Sequence, residues 1–119
     1  DFAIPFQFVE ANLIANTSLD LVAPEDGFVE ELQIVVDKAI TTGGTLGVTI
    51  GGSTVVAGLS VVIANSATKG SQASATPTAK TPTAEFNKGD RIRITPAGFA
   101  TAGGINGVIH CNKGNRPAL

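Results

Sequence analysis

Apolar and polar residues alternate along most of the chain. Between Phe28 and Val36, Phe28, Leu32, Ile34 and Val36 fall on one face while Glu31 and Gln33 point the other way. Leu46, Val48 and Ile50 alternate with Gly47 and Thr49, Leu59, Val61 and Ile63 share a face, and Ile92 and Ile94 alternate with Arg91 and Arg93. Successive side chains of a strand point to opposite faces, so this period predicts sheets with one buried and one wet side. Val, Ile and Thr dominate these stretches, as half-buried strands favour. Turn chemistry separates them, at Pro24-Glu25-Asp26-Gly27, Thr42-Gly43-Gly44-Thr45, Gly51-Gly52-Ser53 and Asn87-Lys88-Gly89-Asp90. There Pro presets φ and Gly permits positive φ. No stretch offers an apolar face at helical spacing for three turns. The pattern predicts an all-β fold, an antiparallel β-sandwich of jelly-roll-like form with about eight strands.

Two segments depart from it. Residues 66–83 hold Ser, Thr, Ala and Pro, with Pro77 and Pro82 and no large apolar side chain. They predict a long surface loop, with at most a short extended piece, that faces outward or over a neighbour and adds little to the fold. At the N-terminus, Phe2, Ile4, Phe6 and Phe8 line one face of an extended segment. Pro5 lacks a ladder donor and keeps this segment out of a sheet centre. The expected organisation is an N-terminal arm or edge strand over residues 1–15 and one sandwich domain over residues 16–119. Four large apolar side chains at a chain end predict a protein-docking face on a partner or a neighbouring copy.

Composition narrows the function. The chain has 119 residues, enough for one domain with its own core. Charged residues are only 15% and hydrophobic ones 43%, which is not the composition of a disordered tail. A net charge of -2 gives no global pull toward nucleic acid or an anionic membrane. No segment reads as a membrane span or a signal peptide. Trp, Tyr and Met are absent, which weighs against an aromatic sugar-binding platform.

Candidate chemistry is thin. His110 and Cys111 are the only nucleophile or soft-metal candidates, and neighbours in a strand point to opposite faces. One His and one Cys do not make a zinc site, and a lone Cys forms no internal disulfide. Glu25, Asp26, Glu30, Glu31, Asp37 and Asp90 lie at turns and strand ends, with no calcium-loop spacing. Asp26 and Asp90 read as turn formers. Gly103-Gly104-Ile105-Asn106-Gly107 satisfies no phosphate-loop pattern. Lys88, Arg91 and Arg93 form a small strip that Asp90 interrupts, without interleaved aromatics. Asn16-Thr17-Ser18 matches a glycosylation acceptor, read as accidental in a chain without a secretory signal. The expectation is a non-enzyme with no cofactor and no metal.

Four runs carry a family resemblance. Val22-Ala23-Pro24-Glu25-Asp26-Gly27-Phe28-Val29, the stretch Ala39 to Gly52 with its Thr-Thr-Gly-Gly-Thr hairpin, Phe86-Asn87-Lys88-Gly89-Asp90-Arg91-Ile92 and Phe99-Ala100-Thr101-Ala102-Gly103-Gly104 resemble tailed-phage capsid decoration (cement, auxiliary head) proteins and the jelly-roll heads of phage fibres. The resemblance covers about Val22 to Cys111 and includes no catalytic motif. It implies a structural protein made in the host cytoplasm and placed on the virion capsid exterior. It further implies homotrimers and the major capsid protein as partner, with neither nucleic acid nor membrane. The face of Phe2, Ile4, Phe6 and Phe8 is not part of the resemblance; read from the residues alone, it is the expected docking face toward the capsid or a neighbouring copy. The alternative is a receptor- or sugar-binding tip of a phage fibre.

Overall fold

The computed structural model describes residues 2–51, 55–78 and 85–113. Among the described residues, nine strands and one short helix follow in the order β1 (Phe2–Phe8), α1 (Glu10–Ile14), β2 (Leu19–Val22), β3 (Gly27–Lys38), β4 (Gly44–Ile50), β5 (Val55–Ile63), β6 (Gln72–Ala75), β7 (Glu85–Phe86), β8 (Arg91–Ala97) and β9 (Gly104–Asn112). They form two antiparallel sheets, one ordered β1-β9-β3-β6 with β7 also on β3, the other β2-β8-β4-β5.

The pairing explains the architecture. The chain runs out through β1 to β4 and back through β5 to β9 as one antiparallel ribbon. Its rungs are β1 with β9, β2 with β8, β3 with β6 and β7, and β4 with β5. Winding that ribbon brings β9 onto β3 and β8 onto β4, which closes each sheet. This is a jelly roll, in which β6 and β7 together occupy one edge position. The interior is continuous and apolar. Leu32, Leu46, Val48, Leu59, Ile92, Ile94, Ile105 and Ile109 from both sheets meet with almost no exposed surface.

The N-terminal segment is an edge strand. Its register runs from Phe2 opposite Cys111 to Phe8 opposite Ile105. The face of Phe2, Ile4, Phe6 and Phe8 turns inward: Ile4, Phe6 and Phe8 are buried in the main core, and Phe2 packs against its margin. The expected docking face is therefore corrected, because these side chains cover the sandwich interior and are not presented to a capsid or a second copy. Phe6 stands edge-on to Phe8 with ring centroids 6.0 Å apart. The Phe6 ring lies over Gly107, where an added Cβ would come within 2.2 Å of it. Glycine is required there by this close approach.

Three further details differ from strict alternation. A register shift between Val29 and Glu31 adds one residue to β3, so Val29 joins Leu32 in the core. Phe28, expected beside Leu32, is buried but outside the continuous core. The expected loop over 66–83 contains β6, whose Ala73 and Ala75 pack on the core, and its Pro77 is buried. Residues 66–78 thus contribute to the fold, while 79–83, like the turn residues Gly52 and Ser53, lie outside the described residues. Helix α1 is a single turn held by one buried side chain, Leu13, too short for a periodic signal.

Candidate interaction surface

The residues with reactive side chains are separated. Cys111 is buried in the core, whereas His110 faces outward and its Nε2 lies 2.6 Å from Gln33 Oε1. Burial, with a smaller contribution from the Glu30 charge, pushes the Cys111 thiol up to about 12. That leaves roughly 10³-fold less thiolate at neutral pH than a free thiol has. Native protein should accordingly react with iodoacetamide at least a hundred times more slowly than protein in denaturant, followed by intact mass. Equal rates would contradict a core position for Cys111.

Several carboxylates, Glu10, Asp20, Glu25, Asp26 and Asp90, are engaged in structural contacts. Asp26 Oδ1 accepts from the Lys88 amide at 2.6 Å, and Asp90 Oδ2 accepts from the Asn87 amide at 2.8 Å. The two turns are also joined by Ala23 N–H to Asp90 O and Gly89 N–H to Ala23 O, with Gly89 at φ +92°. Arg93 grips Asp20 through Nε and Nη2 at 2.6 and 3.0 Å, so the basic strip is partly neutralised. This hydrogen bonding lowers the Asp20 pKa, and the Lys38 ammonium together with the Gly103 N–H lowers that of Glu10. A carboxylate with a lowered folded-state pKa favours folding above its ordinary value, so these contributions fade as pH falls below about 4. Gly103, at φ +142°, directly precedes β9, and Gly104 to Gly107 belong to that strand, so the run opens a strand and not a helix. Among the described residues no group of three or more His, Cys, Asp or Glu could hold a metal ion.

What the fold does build is one tied-together, sparsely charged end, whose charges are Glu10, paired with Lys38 at 2.7 Å, together with Asp37 and Lys69. Four connections meet there: residues 9–18, 39–43, 64–71 and 98–103. Ile40 bridges Ala67 and Thr42 bridges Ala100. The Gly43 N–H donates to Asn65 Oδ1 at 2.8 Å, and the Ser66 N–H donates to Thr41 O at 3.1 Å. Asn16 locks its loop to the opposite sheet, since its Oδ1 accepts from the Phe99 N–H and its Nδ2 donates to Phe99 O, both at 3.0 Å. That explains the asparagine of the glycosylation-like triplet in structural terms.

Three non-glycine residues here take left-handed backbone conformations, Asn16 at φ 54°, Ser66 at φ 61° and Thr101 at φ 69°. Asn tolerates this region, but a β-branched Thr is disfavoured there, and such residues collect at binding and switch sites. No charged residue occurs in 40–43, 64–68 or 98–103, and Thr41, Asn65, Ser66, Thr68 and Thr101 are exposed. The far end holds Glu25, Asp26, Glu85, Lys88, Asp90, Arg91 and Lys113, together with the start of β1 and the end of β9. Sequence reading missed this loop end because its bonds join residues dozens of positions apart. The Thr-Thr-Gly-Gly-Thr turn and the Gly-rich return were its only visible parts.

No family model matches the chain, and neither a curated protein nor a solved structure matches it.

Proposed function

We propose that this protein is a structural virion protein that binds the outer surface of an assembled phage capsid through its loop end and stabilises the shell. The observation that carries this reading is the pre-organised loop end of a small jelly roll, whose stretches 40–43, 64–68 and 98–103 carry no charge. Stitching four loops together in the free protein means little ordering remains to be done on binding. Interface cores are poor in charge, as the stretches 40–43, 64–68 and 98–103 are. His110, which contacts Gln33 on the outer face, and the buried Cys111 do not stand together as a base and a nucleophile would. The major capsid protein is the partner in this proposal, and a homotrimer would let several weak contacts act together.

The reading is tested by sedimenting purified protein with assembled shells and, separately, with unassembled capsid subunits. The protein should pellet with shells at both 50 mM and 500 mM salt and should not bind free subunits. Loss of binding at high salt would point to a contact carried by charged side chains instead. Equal binding to free subunits would remove the basis for selective stabilisation of the shell.

A further inference from the structure

The outer face of the β1-β9-β3-β6 sheet is built differently from the loop end. Register places its side chains in rows across the strands. Gln7, Asn106, Val35 and Gln72 form one row, and Pro5, Val108, Gln33 and Ser74 the next. A shallow groove of about 620 Å³ crosses β9, β3 and β6 between these rows, and no charged residue lines it. Glu31 and His110 stand one row further on.

The Gln33 side chain is aimed rather than free. Its Oε1 accepts from the His110 ring at 2.6 Å, with the proton on Nε2, so its NH₂ group is the half left for a ligand. Asn106, Gln72 and Ser74 add donors and acceptors, while Val35 and Val108 give small apolar steps between them. Primary amides present a donor and an acceptor side by side, which matches vicinal hydroxyls. The lining has no Arg or Lys for a phosphate or sulfate, and no large aromatic anchor of the kind that dominates protein–protein hot spots.

We propose that this groove binds a neutral, polyhydroxylated ligand, a glycan, with Gln33, Gln72, Asn106 and Ser74 as the hydrogen-bonding residues. Without an aromatic platform each site binds weakly, and useful attachment comes from many copies displayed together. The site is separate from the loop end and does not depend on the capsid reading.

The test is amide chemical-shift mapping of the full chain, titrated with neutral oligosaccharides from dextran, mannan and galactan and with a heparin-derived sulfated oligosaccharide. At least one neutral series should shift amides of β3, β6 and β9 around Gln33, Gln72 and Asn106, with millimolar affinity and little effect of salt. The double variant Gln72→Ala/Asn106→Ala, altered only at outward-facing positions, should melt as the wild type does and bind about tenfold more weakly. Failure of every neutral series to shift these amides overturns the proposal. So does binding that maps elsewhere, that survives the double variant, or that is matched by the sulfated probe. Capsid sedimentation of the same double variant should be unchanged, which keeps this test apart from that of the capsid reading.

Discussion

A chain lacking residues 1–9 should fail to fold. β1 closes one edge of its sheet along seven residue pairs with β9, and it buries Ile4, Phe6 and Phe8 in the shared core. Truncating one buried Phe to Ala typically costs 3–5 kcal/mol, against a total stability of about 5–15 kcal/mol for a domain. Removing all three side chains together with a strand's hydrogen bonds exceeds what a chain of this size can lose. The truncated protein should show no cooperative thermal transition by circular dichroism, and Phe6→Ala alone should lower the melting temperature by ten degrees or more, as about 3 kcal/mol implies. Retention of a native melt by the truncated chain would show that β1 is a dispensable arm after all.

The second large effect is expected at the loop end. Thr41 and Thr68 are exposed there, on connections held in place by backbone bonds to their neighbours. The double variant Thr41→Glu/Thr68→Glu should fold normally, because neither side chain supports the core. On a shell it would place unpaired carboxylates in a contact that excludes water, at a cost of several kcal/mol. Shell binding should then fall by more than a hundredfold with the melting temperature unchanged. Unaltered binding would place the contact elsewhere on the domain.

The sandwich was legible because its signal is local. Leu46 and Val48, Ile92 and Ile94, and Leu59 with Val61 and Ile63 declare their buried faces by alternation alone, and all are core residues. The same alternation identified the apolar face of Phe2, Ile4, Phe6 and Phe8, but a pattern says which face is covered and not by what. Its place is set by pairing with β9, about a hundred residues away, which turns the face into the shared core, so a core strand and a docking arm look alike in sequence. The extra residue at Val29–Glu31 shifted Phe28 out of the expected face, and nothing in the sequence marks that bulge. β6 escaped because Ala73 and Ala75 are small: they pack at an edge where bulk is not needed and leave no hydrophobic run. The loop end was illegible for a different reason. Its rigidity comes from Asn16 with Phe99, Asn65 with Gly43 and Thr42 with Ala100, contacts that only the winding of the ribbon creates.

The proposed role makes the contribution thermodynamic rather than chemical. A protein that binds the assembled shell and not its free parts stabilises the assembled state by mass action. The most direct measurement is DNA release on heating, or under osmotic shock, from particles that lack this protein compared with complete particles. Shells should still form without it, yet release their DNA at a lower temperature, and adding purified protein back should restore them at low and at high salt. Depleted particles that are as heat-stable as complete ones, and that fail only at adsorption to cells, would contradict the capsid-stabilising role and leave receptor binding in its place.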